Sequence, residues 1–277
     1  MEIKNLAATD VTTIVGCLTQ SFANYFVPIS SDLDYWRTRL RIARIDFIHS
    51  YGFFDHDILV GFILIGIDEH EDYLTAYNGG TGVIPDYRGK KVVDQLYAFA
   101  IPELKTLGVE RCTLEVIEQN ARAIKVYERI GFKLTKKLHC YKSVLQNGKQ
   151  KTQLKEITLS DIDTPEIQKA QLPCWDDTIA PLKCAGEIYT TYALKYLSGD
   201  NIGFLVINHE NGYIPQIGLF PGKTEKEYWH SLIENLKNIC SAVKINNVDS
   251  RRTSLIATLE KHGFENFINQ YQMEFFI

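Results

Sequence analysis

The chain has 277 residues, 45% hydrophobic, 23% charged and 12% aromatic, with a net charge of −4. This length predicts two domains of about 100 to 150 residues each, and the composition excludes a disordered chain. The slight acidity excludes broad attraction to nucleic acid or an anionic membrane. With no run of 18 apolar residues and no basic leader, a cytoplasmic location is expected.

Val11, Ile14, Val15, Leu18 and Phe22 recur at helical spacing behind Asp10 or Thr9, predicting a capped amphipathic helix. A polar, aromatic stretch follows, with Tyr25, Tyr35, Trp36 and Arg37, and residues 22–39 are the expected acceptor loop. "YGFFDHD" and "ILVGFILIGI" read as a hairpin turning at residues 55–57. The acidic run 68–72 reads as a solvated loop, with Glu69 or Glu71 able to attract a cation. A strand "AYNGGTGVI", a helix over 90–107 ended by Gly108, a strand "RCTLEVI" and a helix over 120–130 ended by Gly131 come next. A crossover of this length joins parallel strands. Pro102 falls inside the first of these helices and removes one hydrogen bond, yet Leu96, Phe99, Ala100 and Leu104 keep the helical spacing.

The polar "VLQNGKQKT", residues 144–152, reads as a linker between domains 1–143 and 153–277. The second half echoes the first: "VGFILIG" from 60 and "IGFLVIN" from 202, "TGVIP" from 81 and "IGLFP" from 217. "LEVIEQNARAIKVYERIGF" from 114 likewise returns as "NNVDSRRTSLIATLEKHGF" from 246. Three echoes in one order predict a duplicated fold. The six cysteines form no C-x-x-C pair and read as reduced core residues. The seven histidines show no ligand spacing, so no metal is expected.

"DYRGKKVV" feeds a glycine turn into a helix N-terminus, whose unpaired N–H groups and positive dipole end suit a phosphate. A solvated basic turn is the plainer reading. Downstream, Glu115 lies on a strand, Asn120 at a helix entry and Tyr127 two turns later, before Gly131. The stretches V-x-P-x-Y-R-G-K and N-x-x-A-x-x-V-Y-x-x-x-G-F, over residues 83–132, together resemble the GNAT superfamily of acetyl-CoA-dependent N-acetyltransferases. The element order fits that family over residues 1–143.

The resemblance implies an α/β fold with a central mixed sheet flanked by helices, present twice in tandem, and two parallel strands that splay to admit the pantetheine arm of acetyl-CoA. It implies that the backbone of Arg88, Gly89, Lys90, Lys91, Val92 and Val93 holds the pyrophosphate and that Val83 and Ile84 meet the pantetheine. Asn120 and Ala123 would contact the cofactor from the following helix, and Tyr127 would face the sulfur. Glu115 is the candidate base, because an amine attacks a thioester only when unprotonated; a tyrosine can donate to the departing thiolate. Glu115 as a solvent-facing strand residue, Tyr127 as core and Asn120 as a simple cap are the structural alternatives.

The loop departs from the family's usual R-x-x-G-x-G/A: Lys91 and Val93 replace small residues, which predicts weaker cofactor binding or a shifted pyrophosphate. In the second half an offset of 132 places Asn247 at Glu115, Arg252 at Asn120 and Leu259 at Tyr127, and "LFPGKTEKEYW" lacks the full phosphate loop. That half is expected to be non-catalytic, with Trp175, Asp176 and Asp177 as candidates for an acceptor site. The implied activity is direct acetyl transfer from acetyl-CoA, as co-substrate and without metal, to an amine of a small molecule or peptide. A non-catalytic acyl-CoA-binding module, or transfer of another acyl group, is the alternative. Neither nucleic acid nor membrane is an expected partner, and the chain is expected to be a monomer or homodimer.

Overall fold

The computed structural model describes residues 1–145, 153–195, 199, 201–223 and 226–277. The first half runs β1 (Glu2–Asn5), α1 (Val11–Ser21), α2 (Leu33–Ile42), β2 (Tyr51–Asp55), β3 (Ile58–His70), β4 (Tyr73–Val83), α3 (Val92–Thr106), β5 (Arg111–Ile117), α4 (Ala121–Ile130) and β6 (Lys133–Val144). The second runs β7 (Gln153–Ile157), α5 (Pro165–Gln171), α6 (Ile179–Ala185), β8 (Thr190–Lys195), β9 (Asn201–Ile207), β10 (Gln216–Leu219), α7 (Lys226–Leu236), β11 (Ala242–Asp249), α8 (Thr253–Lys261) and β12 (Glu265–Phe276). The two halves have one element order, so the echoes in the sequence mark a true repeat. Each echoed pair falls on matching elements: β3 with β9, β4 with β10, and β5–α4 with β11–α8.

The chain divides into two compact units: Met1–Thr135 with Tyr271–Ile277, and Lys136–Gln270. The division expected at residues 144–152 differs, and residues 146–152 of that linker lie outside the described residues. Most of β6 belongs to the second unit, where it pairs antiparallel with β11 from Ala242↔Val144 to Asp249↔Leu138. The end of β12 belongs to the first unit, beside β5: the Ile277 N–H donates to the Glu110 carbonyl and Thr113 Oγ1 to that of Met273. Most of β6 and the end of β12 have therefore exchanged units. A polar Asn-Gly segment signals where a chain can turn, but strand pairing is non-local and ignores it.

In the first unit the strand order is β1-β2-β3-β4-β5, followed by the C-terminal residues. Asp10 caps α1 by accepting from the Thr13 N–H at 2.9 Å, and Ile14 and Leu18 of that helix pack on Phe62 and Leu64 of β3. On the other core, Leu96, Ala100 and Leu104 of α3 are wholly buried; Phe99 is 42% exposed and instead meets the Tyr51 ring edge-on. The helix α3 continues through Pro102, held by its buried stripe. The acidic run is not simply solvated: Arg44 pairs with Asp68, and Arg111 with Glu71.

In the second unit β10-β9-β8-β7 form one antiparallel sheet. Ile202, Leu205, Leu232, Leu236 and Leu259 are among its wholly buried side chains. All six cysteines are free. Cys17, Cys112, Cys140 and Cys174 are core residues as expected, but Cys184 is exposed and Cys240 half-buried.

Candidate active site

The strands β4 and β5 run parallel and pair over only three positions, Thr75–Tyr77 against Arg111–Thr113. Past these, residues 78–83 and 114–117 separate. A bulge in β4 lies at the fork, where the register with β3 shifts between Leu64 and Ile65 and Gly79 is skipped. A Cβ at Gly79 would come within 2.7 Å of Ile45 Cδ1, so a larger residue here would make the Ile45 side chain shift. Bulges bend a strand and redirect its side chains, and this one turns β4 away from β5.

The bend gathers a polar set that sequence reasoning missed. Asn78 Nδ2 donates to Thr81 Oγ1 at 2.7 Å and to the Tyr97 hydroxyl at 2.8 Å. Tyr127, 8% exposed on α4, packs in the core edge-on to Tyr97 and Phe132 and brings its hydroxyl to Thr81 and Asn78. Burial pushes the Tyr127 pKa up, and those hydrogen bonds offset this only in part. The phenol therefore stays protonated at neutral pH. Tyr127 is thus a core residue whose protonated hydroxyl lies buried at the fork. The signal for the rest was the polar Asn78 and Thr81 flanking the Gly-Gly of "NGGT" in an otherwise apolar strand.

Glu115 is half-buried on β5 and accepts a 2.7 Å hydrogen bond from the Tyr77 hydroxyl. Asn120 caps α4, its Oδ1 accepting from the Ala123 N–H at 3.2 Å, and also hydrogen-bonds Tyr25. Tyr25 follows α1, stands between the rings of Phe22 and Phe26, and is close enough to Tyr127 to raise its pKa. The aromatic stretch expected near an acceptor thus reaches the fork through Tyr25.

The loop before α3 divides the expected phosphate contacts. The Arg88 N–H is taken by the Pro85 carbonyl at 3.1 Å. Its side chain donates to the carbonyls of Val83, at 3.2 Å, and Ser21, at 2.9 Å. Arg88 is therefore a strut of the loop, and its backbone does not face outward. The Ile84 N–H is likewise taken, by the Val60 carbonyl at 3.0 Å, whereas the alternation of an antiparallel ladder turns the Val83 amide away from β3. From Gly89 to Val93, no backbone N–H has a partner among the described residues. They lie at the N-terminus of a 15-residue helix, where the dipole favours an anion.

The side chains that replace the small residues of this loop do not crowd it. Val92 is 3% exposed and Val93 packs half-buried on the same core. Lys91 carries the conformational cost, at φ 57° and ψ 31°, in the left-handed region. Gln95 pins the turn by donating to the Lys90 and Lys91 carbonyls. Lys90 lies over the Tyr87 ring at 4.4 Å. A groove of about 390 Å³ borders this loop, lined by Tyr87, Lys90, Val92 and Gln95 with Phe53 and Phe99; it does not include Tyr127.

Residues 17–132, which hold the fork, the loop and the buried tyrosine, match the family model described as acetyltransferase (GNAT) family. This part of the chain belongs to the GNAT family. Over 82 residues it is 33% identical to N-alpha-acetyltransferase MAK3 of Arabidopsis thaliana, covering 30% of this chain and 43% of that protein. Over 101 residues it is 28% identical to N-alpha-acetyltransferase 30 of Schizosaccharomyces pombe, covering 34% of this chain and 67% of that protein. The chain thus spans less than half the length of the first relative. A solved tandem GNAT protein from the clavulanic acid biosynthesis pathway superposes with a TM-score of 0.68 at 14% identity, covering 99% of this chain and 97% of its own. The fold over both repeats is that of a tandem GNAT protein.

The second GNAT-like repeat keeps the element order and carries different residues at the positions of Glu115, Asn120 and Tyr127. Asn247 stands at a bulge with φ 55° and accepts from Gln270 at 2.7 Å. Arg252 caps α8 and sends its guanidinium to the Ile217 carbonyl of β10 at 2.5 Å, over the Trp229 ring. Burial pulls its pKa down to about 10, so it remains a cation. The cavity left beside it measures about 10 Å³, roughly the room for one water. Asp177 lines it and accepts from the Tyr213 hydroxyl at 2.6 Å, while Trp175 is 1% exposed.

Proposed function

We propose that the first unit is an N-acetyltransferase that moves the acetyl group of acetyl-CoA directly to an amine, with a peptide or protein α-amine as the leading acceptor class. The observation that carries this reading is the fork between β4 and β5 with the protonated Tyr127 hydroxyl buried at it. The names of the two curated relatives favour an α-amine over a small-molecule amine. Acetyl-CoA would supply the activated acyl group. The unpartnered N–H groups from Gly89 to Val93 would hold its phosphates and the Val83 amide would pair with its arm. Asn120 and Ala123 remain contacts of the reading through the α4 N-terminus. Glu115, fixed by Tyr77, takes the proton of the attacking amine, and Tyr127 donates to the departing thiolate. No covalent enzyme intermediate is needed.

The second unit serves in this reading as a non-catalytic repeat whose cleft is filled by Arg252. The test is a thiol-release assay with acetyl-CoA against N-terminal peptides and small amines, with products identified by mass. Amine-dependent release with acetylation at a peptide α-amine supports the reading. Release only with small amines would move the acceptor class, CoA binding without transfer would reduce the chain to a binding module, and absence of CoA binding would overturn both.

A further inference from the structure

The second unit brings together three metal-ligating side chains that are scattered in the sequence. His230 and Glu234 stand four residues apart on α7, hence on one face of the helix, and His262 follows the last turn of α8. One ligand atom from each lies within 4.8 Å of the other two. His230 Nδ1 and His262 Nε2 are 2.7 Å apart, and His262 Nδ1 is 3.1 Å from Glu234 Oε1.

These contacts fix where the protons sit. An ionised carboxylate only accepts, so His262 Nδ1 carries a hydrogen toward Glu234, and His262 Nε2 is the bare nitrogen. His230 Nδ1 must then donate to it. A metal ligand must be a neutral imidazole with a bare nitrogen, and His262 is placed to serve as one through Nε2. Its Nδ1–H to a carboxylate is the arrangement that orients metal-bound imidazoles elsewhere.

We propose that His230 and His262 hold a divalent transition metal such as zinc, with Glu234 orienting His262 through its Nδ1–H, clamping α7 to the end of α8. The metal takes the place of the proton between the two imidazoles. His230 shifts its proton from Nδ1 to the exposed Nε2, so no proton need leave the pair. Two nitrogens on a tetrahedral zinc stand about 3.3 Å apart at bond lengths near 2.0 Å, so the present 2.7 Å separation opens by roughly half an ångström. The two nitrogen donors favour zinc, cobalt or nickel over magnesium or calcium. A solvent-facing position remains, because His230 is exposed. Lys237 opposes binding: its Nζ lies 3.0 Å from Glu234 Oε1 and competes for that carboxylate.

The experiment is calorimetric titration of the metal-free full-length chain with zinc, repeated with cobalt(II) to read the visible band of a four-coordinate site. Cys184→Ser serves as the background, to remove the exposed thiol as a competing ligand. One saturable equivalent is expected, weakened by roughly tenfold or more in His230→Ala and in Glu234→Gln, and strengthened about tenfold in Lys237→Met by removal of the competing charge. His230 is exposed, so its variant keeps the fold intact where His262→Ala could lose it. Absence of a saturable equivalent in the Cys184→Ser chain overturns the proposal. So does undiminished binding in a folded His230→Ala variant.

Discussion

Asn120 and Arg252 cap corresponding helices in the two repeats with nearly the same backbone angles, φ −83°, ψ 60° and φ −80°, ψ 53°. Asn120 spends its side chain on the Ala123 N–H and Tyr25, whereas Arg252 reaches across to the Ile217 carbonyl and fills the cleft. One position, with one backbone geometry, sends its side chain to different partners in the two repeats.

The first expectation is therefore one CoA per chain. Calorimetric titration with CoA should give a stoichiometry near one while Arg252 occupies the second cleft. Two equivalents in the wild type would show that the second cleft opens despite the arginine.

Tyr127→Phe removes the proposed donor while keeping the ring that packs on Phe132. On the acetyltransferase reading kcat should fall about 100-fold, within the usual range for acid–base catalysis, with CoA affinity little changed. Because the folded pKa lies above the ordinary tyrosine value, the acid form persists through that value. The wild-type rate should then show no tyrosine-dependent decline below about pH 10. A pH–rate profile checks this, and a decline near pH 8 that vanishes in the variant would contradict it.

Lys91 holds a left-handed backbone at φ 57°. Lys91→Gly should raise stability by about 1 kcal/mol by relieving that strain, with the greater freedom of glycine in the unfolded chain opposing it. CoA affinity should change less than threefold if backbone amides dominate phosphate binding. Chemical denaturation and calorimetry measure the two.

Met273 is wholly buried in the core of the first unit although it lies four residues from the C-terminus. Met273→Ala should cost about 2 to 4 kcal/mol and should destabilise the unit that contains residues 1–135. Hydrogen exchange of α3 and β5 amides reads the location; an effect confined to residues 136–270 would contradict the exchange of strands.

Asp94 and Arg129 join α3 to α4 by paired contacts of 2.5 and 2.7 Å. The hydrogen bond to Arg129 is the largest influence lowering the Asp94 pKa, so the pair's stabilisation is present above the unfolded carboxylate value near 3.9. It is lost as pH falls through the lower folded value. With Arg129 half-exposed, Asp94→Asn should cost about 0.5 to 1 kcal/mol at pH 7, and the deficit should shrink toward zero in melts below pH 3.

Much of this was readable in the residues. Asp10 as cap, the turn at residues 55–57, "RCTLEVI" as β5 and Asn120 opening α4 are local matters of capping and periodicity, and all stand in the structure. The repeat was legible because duplicated cores keep their apolar spacing, as Phe132 and Phe264 show by closing matching turns onto Tyr127 and Leu259. That the Ile84 and Arg88 N–H groups go to the Val60 and Pro85 carbonyls is not legible in the sequence, because the direction of an N–H depends on ladder phase and on where its acceptor folds. The Asn78–Thr81–Tyr97 set was missed because it depends on a bulge.

The sequence by itself determined the elements, their order, their repetition and the residue types available for chemistry, since these follow from local backbone and side-chain preferences. Only tertiary structure decided which strand completes which sheet, that Arg252 occupies the second cleft, and that His230 meets His262. These are long-range choices, made by the packing of surfaces that no single segment carries.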